Sequence, residues 1–339
     1  MNRLAIQLIL LLVTSFSAFS QNYKVVNKFP VPGEGGWDYI TSDPESGRLY
    51  VSHGNEVNVI NAKDGKLIGT IPDTKGVHGI ALATDLNKGF ISAGRDSAVI
   101  VFDLKTLETT AKLPVTGINP DCIIYDHQTK RIFTFNGRSR TCTVFDAKSN
   151  KIVATIPLAG KPEFAVSNER GKVYVNIEDK NTIGVINTHA LAVEVYRSIA
   201  PGESASGLAI DLMNYLLFAV CDNKQMVIMN AETGRIVTTV PIGEGPDAVV
   251  YDPELKRIYS SNGDGTITVV QEVSASEFKV IETVQTQKGA RTIAVDTKTH
   301  HLYLPAAEYG EKPAATADNP HPRPKLKSGT FVILDVAGK

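Results

Sequence analysis

Short apolar segments alternate with short polar turns along nearly the whole chain, and one type of segment occurs seven times. Each copy is a run of apolar residues that ends in Asn, Asp or Gln, as in VNVIN, CTVFD and FVILD. The copies begin at residues 57, 99, 142, 183, 226, 267 and 331. Short apolar runs bounded by polar turns are typical of β-strands. We therefore predict an all-β chain, since no segment between them shows a helical period.

The strands group into a larger repeat. Residues 130–157, KRIFTFNGRSRTCTVFDAKSNKIVATIP, show strand, polar turn, strand, polar turn and strand, and residues 47–72 follow the same plan. When the units are aligned, their first strands start 41 to 44 residues apart, at Asp38, Gly79, Asp121, Glu163, Ser206, Asp247 and Arg291. A period near forty with four short strands per unit predicts a seven-bladed β-propeller with four-stranded antiparallel blades. A β-sandwich would not repeat so evenly.

The two ends of the chain predict how the ring closes. Residues 24–33, KVVNKFPVPG, resemble a fourth strand such as KIVATIPLAG at 151–160, and little sequence follows the seventh FVILD segment. The N-terminal strand should therefore complete the last blade, which leaves no open sheet edge between the ends. We expect one propeller domain over residues 22–337, and we expect it to be monomeric.

The first twenty residues have the features of a secretory signal peptide. Arg3 precedes an apolar run over residues 4–13, and small residues lead up to Ser20. An apolar core of about ten residues is short for a membrane span, so we expect cleavage after Ser20 and no span in the mature chain. The protein should then be periplasmic or secreted.

Charge and cysteine content exclude further classes. The chain has 35 Lys and Arg against 36 Asp and Glu, a balance that gives no basic patch in bulk for nucleic acid. Cys122 and Cys142 should lie two strand spacings apart, roughly 9.5 Å. A disulfide tolerates a Cα separation of only about 7 Å. We therefore expect three free, buried thiols, Cys221 included.

Several second strands resemble a known family. RIYSSN at 257–262, RIFTFN at 131–136, RLYVSH at 48–53 and KVYVN at 172–176 are similar to the R-[IV]-Y-V-T-N strand of YVTN-repeat, YncE-like seven-bladed propellers of bacteria. The resemblance covers essentially the whole mature chain. It implies an exported propeller, but such propellers include binding scaffolds, lactonases and oxidoreductase domains, so the fold alone does not give the function.

The repeat places two columns of residues on one face, at the mouth of the central channel. The starts of the first strands contribute Trp37, Asp38, His78, Asp121, Glu163, Asp247 and Arg291. The loops between second and third strands contribute His53, Asn136, Arg138, Glu178, Asp222, Asn262 and Glu308. Four acids, one cation and the single Trp favour a site for a cationic or polyhydroxyl ligand, or for a basic peptide of a partner protein.

A plainer interpretation of each acid is also open. Pro-Asp is favourable turn chemistry. Asp247, in GPDAVVYDP, also marks the point where a buried strand emerges into a solvated channel, so its charge need not be desolvated.

Metal and catalytic signatures are weak. Oxygen-rich clusters suit Ca²⁺ or Mg²⁺, but ring positions two blades apart are expected to be too distant to share an ion. His53 and His78 could meet at the mouth, yet no HxH or HExxH spacing occurs, so we assign no metal ligand. GxSxG, Walker and GxGxxG motifs are absent as well.

Two functional hypotheses follow. The first is an exported, non-catalytic scaffold that holds a small molecule or a protein partner at the acidic mouth. The alternative is a lactonase-like or other metal-assisted hydrolase on the same face, with His78 as general base and Arg291 binding substrate charge.

One insertion interrupts the period. Residues 305–329 form a long, proline-rich loop of the last blade, on the same face as the acids. Long loops in compact domains are usually functional or disordered. Its basic end, with His321, Arg323, Lys325 and Lys327, is expected to fold over the acids as a lid, unless it is a polar insertion that contacts nothing.

Overall fold

A computed structural model describes residues 22–311, 313 and 324–338 and shows seven four-stranded antiparallel sheets arranged as a β-propeller. The predicted signal peptide, residues 1–20, lies outside the described residues. Strand assignment follows the repeat: each blade runs from an inner strand at the channel to an outer strand at the rim. The all-β, seven-bladed prediction is confirmed.

The strands of the first blades alternate with tight turns. In chain order they are β1 Lys24–Pro30, β2 Trp37–Asp43, β3 Arg48–His53, β4 Glu56–Asn61, β5 Leu67–Ile71, β6 Val77–Ala83, β7 Lys88–Ala93, β8 Ala98–Asp103, β9 Thr109–Pro114, β10 Pro120–Asp126, β11 Arg131–Asn136, β12 Thr141–Asp146 and β13 Ile152–Pro157. Sheets β2–β5, β6–β9 and β10–β13 are blades 1, 2 and 3.

The remaining strands form blades 4 to 7. They are β14 Pro162–Ser167, β15 Lys172–Ile177, β16 Thr182–Asn187, β17 Ala192–Ser198, β18 Ala205–Asp211, β19 Leu216–Cys221, β20 Gln225–Asn230, β21 Ile236–Pro241, β22 Pro246–Asp252, β23 Arg257–Asn262, β24 Thr266–Ser274, β25 Glu277–Gln285, β26 Ala294–Val295, β27 Leu302–Ala306 and β28 Val332–Ala337. Within the described ranges the helices are three 3₁₀ turns, Thr84–Leu86, Gly94–Asp96 and Glu178–Lys180. None of these is long and apolar enough to cross a membrane.

The N-terminal strand completes the last blade. The order of that sheet is β1-β28-β27-β26, and β1 pairs antiparallel with β28 from Lys24 opposite Ala337 to Pro30 opposite Val332. The ring is thus closed by hydrogen bonds between strands from the two ends of the chain, as the similarity of residues 24–33 to a fourth strand predicts.

The hydrophobic core lies between the blades. Second and third strands are buried on both faces because each blade packs against two neighbours; β19, for example, is buried throughout. Outer strands such as β13 are largely exposed on their rim side. One interblade cluster contains Phe133 and Phe135 of blade 3 and Val173 and Val175 of blade 4. Seven such clusters hold the inner strands in place around the channel.

The three cysteines are free and buried, which confirms the prediction from strand spacing. Burial raises the pKa of Cys122, Cys142 and Cys221, because an apolar environment disfavours the thiolate. An aromatic disulfide reagent should therefore label none of them in the native protein and all three after unfolding in guanidinium. Rapid labelling of native protein would contradict this packing.

Candidate functional site

One hydrogen bond, repeated from blade to blade, brings the two predicted columns onto one face. The first residue after the second strand donates its backbone N–H to a carbonyl just before the inner strand. Examples are Gly54 to Gly36 at 2.7 Å, and Gly94 to Gly76 at 2.8 Å. The loops between second and third strands therefore surround the channel mouth where the inner strands begin.

A β-bulge at the start of the inner strand sets the direction of each ring side chain. In six blades the register shifts just after the first residue of the strand, for example between Trp37 and Ile40 and between Val77 and Ile80. Bulges redirect a side chain at the edge of a sheet. The residue within each bulge forms the ring: Asp38, His78, Asp121, Glu163, Ser206 and Asp247.

This register corrects the sequence alignment in blade 2. The alignment placed Gly79 at the ring position, but Val77 pairs with Ala93 as Trp37 pairs with His53, so His78 is equivalent to Asp38. The ring therefore contains an imidazole between two carboxylates on adjacent blades.

Glycines let the inner strands approach each other closely. A Cβ on Gly79 would lie 2.9 Å from Ile123 Cγ2, and a Cβ on Gly207 would lie 2.7 Å from Ala248 Cα. Ser92 also bridges blades 2 and 3, since its hydroxyl accepts from Gly79 N–H and donates to the Asp121 carbonyl. The channel mouth is consequently narrow, and ring residues from different blades come close together.

The mouth contains a cavity of about 210 Å³. Its lining includes Tyr39 and Phe164, whose ring centroids are 5.2 Å apart. Its wall carries four carboxylates and two permanent cations, namely Asp38, Asp121, Glu163, Asp247, Lys161 and Arg291. Four negative and two positive charges leave an excess of two negative charges when every acid is ionised.

Two of the acids are paired. Lys161 Nζ lies 2.6 Å from Glu163 Oε1 and 2.6 Å from Glu178 Oε2. Arg291 forms an ion pair with Asp247. Asp38 and Asp121, by contrast, have no Lys or Arg within ion-pair distance among the described residues, and both lie close to His78.

His78 lies between these two carboxylates. Its Nδ1 is 2.7 Å from Asp38 Oδ2 and 3.7 Å from Asp121 Oδ1. One candidate ligand atom from each of the three side chains lies within 4.8 Å of the other two. The expectation that acids two blades apart are too distant to share an ion is thus wrong for Asp38 and Asp121, because the inner strands converge at the channel.

The ring acids are largely desolvated, which corrects the expectation that they lie in open solvent. Their side chains are 19 to 26% exposed. Burial, which outweighs the charge of Arg291, raises the pKa of Asp247 to about 6. Burial, assisted by the charge of Asp38, raises the pKa of Asp121 to about 6, and burial, assisted by the charge of Asp121, raises the pKa of Glu163 to about 7.

The pKa of the His78 imidazole depends on burial and on the surrounding negative charge, which act in opposite directions. Burial lowers the pKa of His78, but the hydrogen bond to Asp38 and the charges of Asp121 and Glu163 outweigh it, so the pKa is raised overall. The protonated imidazole is therefore favoured by the negative charge around it.

Two predicted site residues belong to the core instead. Trp37 is 9% exposed, with its ring centroid 5.4 Å from that of Phe331. His53 is 1% exposed, stacks on Phe331 at 4.0 Å and has Nδ1 3.2 Å from Asn58 Oδ1. Neither ring presents a face to the cavity, and His53 does not meet His78 there.

The two asparagines of the loop column have structural roles. Both are fully buried. Asn136 donates from its amide to the hydroxyls of Thr141 and Thr143, and Asn262 does the same to the threonines four and six residues after it. These bonds fix the loop between the second and third strands.

The remaining loop-column candidates surround the cavity. Arg138, Asp222 and Glu308 are exposed, whereas Glu178 is partly buried against Lys161. Burial and the charge of Glu178 raise the pKa of Asp222. Acidic character therefore extends beyond the cavity wall.

The insertion of the last blade connects β27 to β28 and is described only near its ends. Tyr309 and Leu326 form an antiparallel bridge, and Lys327 Nζ lies 3.0 Å from Glu308 Oε2. The lid hypothesis required Lys327 to pair with the ring acids. Lys327 pairs instead with Glu308, a residue of its own loop. His321 and Arg323 lie outside the described residues.

The sequence matches no protein-family profile and no curated protein sequence. Its structure is similar to the RRP9 WD40 repeats, with a TM-score of 0.77 at 8% identity, covering 94% of this chain and 99% of that one. It also resembles a chain of a mitotic checkpoint complex structure, with a TM-score of 0.74, 15% identity and 98% coverage of both chains. A third similar structure is from Kuenenia stuttgartiensis hydrazine synthase, with a TM-score of 0.68 at 15% identity, covering 79% of this chain and 92% of that one.

The chain is a seven-bladed β-propeller with WD40-like structural neighbours. Identities this low show the fold alone. The function has to be argued from the site.

Sequence reasoning missed Lys161 and Tyr39. Lys161 immediately precedes the strand that carries Glu163, and this position in GKPE was a usable signal for a second cation at the mouth. Tyr39 directly follows Asp38, but only the bulge shows that both residues reach the cavity.

Proposed function

We propose that the protein is a non-catalytic propeller scaffold that binds a positively charged group of a small molecule or partner protein at the channel mouth. The observation that carries this is the cavity wall, where four carboxylates from four blades face only two permanent cations among the described lining residues. Asp38 and Asp121 supply the unbalanced charge. A cationic group there would relieve repulsion between desolvated acids.

The size of the cavity limits what enters it. A volume of about 210 Å³ corresponds to about seven water molecules at about 30 Å³ each. That space suits the head of one cationic side chain or a small cation better than a whole metabolite. The rest of a ligand would lie over the loops around the channel mouth, where Asp222 and Glu308 are exposed.

Export and family membership are part of this proposal. The segment over residues 1–20 supports export, and the RIYSSN-type strands support a YVTN-like protein. N-terminal sequencing of the protein recovered from the periplasm or medium should begin at Gln21. A full-length chain in the membrane fraction would contradict export.

A peptide probe tests the proposed function. We expect a capped tetrapeptide with two adjacent arginines to bind the wild-type protein at low ionic strength, where charges are screened only beyond about 30 Å. The triple variant Asp121→Asn, Glu163→Gln, Asp247→Asn should bind it at least about tenfold more weakly by calorimetry.

A matched control separates the site from net charge. The triple variant Glu45→Gln, Asp64→Asn, Glu254→Gln removes three exposed acids from turns on the opposite face. It should bind the peptide as the wild type does. Equal weakening in both triple variants, or no binding to the wild type, would refute the proposed site.

A further inference from the structure

The group formed by Asp38, His78 and Asp121 has the donors and spacing of a metal site. For bonds of about 2.1 Å, two donors on one tetrahedral ion lie roughly 3.4 Å apart. The distances from His78 Nδ1 to the two carboxylates, 2.7 and 3.7 Å, bracket that value. Small side-chain rotations would bring all three donors onto one ion.

The environment of Asp121 is the second observation that favours a cation here. Its side chain is only 22% exposed. Among the described residues no hydrogen bond to its carboxylate is found, and the nearest cationic group to that carboxylate is the His78 ring at 3.7 Å. Glu163 and Asp247, by contrast, each have a permanent cation. A largely desolvated carboxylate is stabilised by a close hydrogen-bond donor or cation, and a metal ion shared with His78 would supply that contact.

We infer that Asp38, His78 and Asp121 bind a divalent first-row transition-metal ion such as Zn²⁺. The inference rests on the proposed function, because the metal ion would be the positively charged group that binds at the channel mouth. Its two charges equal the excess negative charge of the cavity wall. A mixed set of one imidazole and two carboxylates favours such an ion over Ca²⁺ or Mg²⁺, which prefer oxygen ligands alone.

The imidazole is held in place by the neighbouring loop. A Cβ on Gly94 would lie 2.7 Å from His78 Nε2, so the absence of a side chain at residue 94 makes room for the ring. Three protein ligands would leave a fourth position on a tetrahedral ion for water or another ligand. Gly94 therefore acts as a positioning residue, and a side chain there would displace His78 without removing a ligand.

The test is equilibrium dialysis of the untagged mature protein against ZnCl₂, followed by elemental analysis. The wild type should retain one Zn²⁺ per chain, and excess Mg²⁺ or Ca²⁺ should not displace it. Asp121→Asn, His78→Gln and Gly94→Ala should each bind Zn²⁺ at least about tenfold more weakly. His300→Gln is the matched control, since His300 Nδ1 also lies 2.7 Å from a carboxylate, Asp252, on the opposite face.

The outcomes separate the two proposals. Retention of one Zn²⁺ that is lost in the three variants and kept in His300→Gln supports the inference. No retained Zn²⁺, or equal affinity in His78→Gln, overturns it. If Zn²⁺ is not bound while the arginine peptide still binds through the ring acids, only the metal inference fails. If neither probe binds, the proposed function fails as well.

Discussion

Deletion of residues 22–31 should abolish cooperative folding of the propeller. These residues supply β1, the outer strand of the last blade, and they bury Tyr23 and Phe29 in two different interblade clusters. Without them β28 becomes an unpaired edge and two cores are opened. The loss should exceed about 5 kcal/mol, which is comparable to the whole stability of many domains.

Thermal unfolding followed by circular dichroism measures this effect, with the chain starting at residue 22 as control. Because the deletion can prevent expression, Phe29→Ala provides a second measurement. Phe29 is 7% exposed, so its truncation should cost about 3 to 5 kcal/mol. A deletion variant that melts cooperatively near the control temperature would contradict closure of the ring by β1.

Glu163→Gln should stabilise the protein at pH 8 by about 2 kcal/mol. Burial, only partly offset by Lys161, raises the pKa of Glu163 to about 7. The folded state therefore holds a proton that the unfolded state has lost. The contribution to stability is fully present below the unfolded pKa, about 4.3, and is lost as the pH rises through about 7.

Urea unfolding at several pH values between 4 and 8 tests this sign. The wild type should lose stability across that window, and Glu163→Gln should lose less. Glu178→Gln is the control, because Glu178 contacts the same Lys161 Nζ at the same 2.6 Å but is 30% exposed, against 19% for Glu163. It should change stability by no more than about 0.5 kcal/mol. Destabilisation by Glu163→Gln at pH 8 would contradict the desolvation of the ring.

The fold was predictable because the repeat of the strands can be recognised directly in the pattern of apolar and polar residues. Alternation and a repeat of about forty residues fix blade number and strand order, and the resemblance of residues 24–33 to a fourth strand predicts the closure. The bulges were not predictable, because they change the register without changing the repeat. This is why Gly79 and not His78 was aligned with Asp38.

The site was predictable only in part. Asp38, Asp121, Glu163 and Asp247 do line one cavity, but their desolvation depends on how closely the inner strands converge, which no single strand reveals. Polar residues at strand ends are also ambiguous. The sequence places Asn136 and Asn262 among the loop residues at the channel mouth, yet each donates to two threonines of the following strand. The recurrence of Thr-x-Thr after both asparagines was the available signal.

The most direct test of the central claim, that desolvated acids at the mouth receive a cation, is the number of protons released when the arginine peptide binds. Calorimetry in buffers of different ionisation enthalpy measures it. At pH 6 we predict proton release, because a bound cation favours ionised Glu163 and Asp247, whose raised pKa values are about 7 and about 6. At pH 8 release should vanish. Binding without proton release at pH 6, or with proton uptake, would contradict the account.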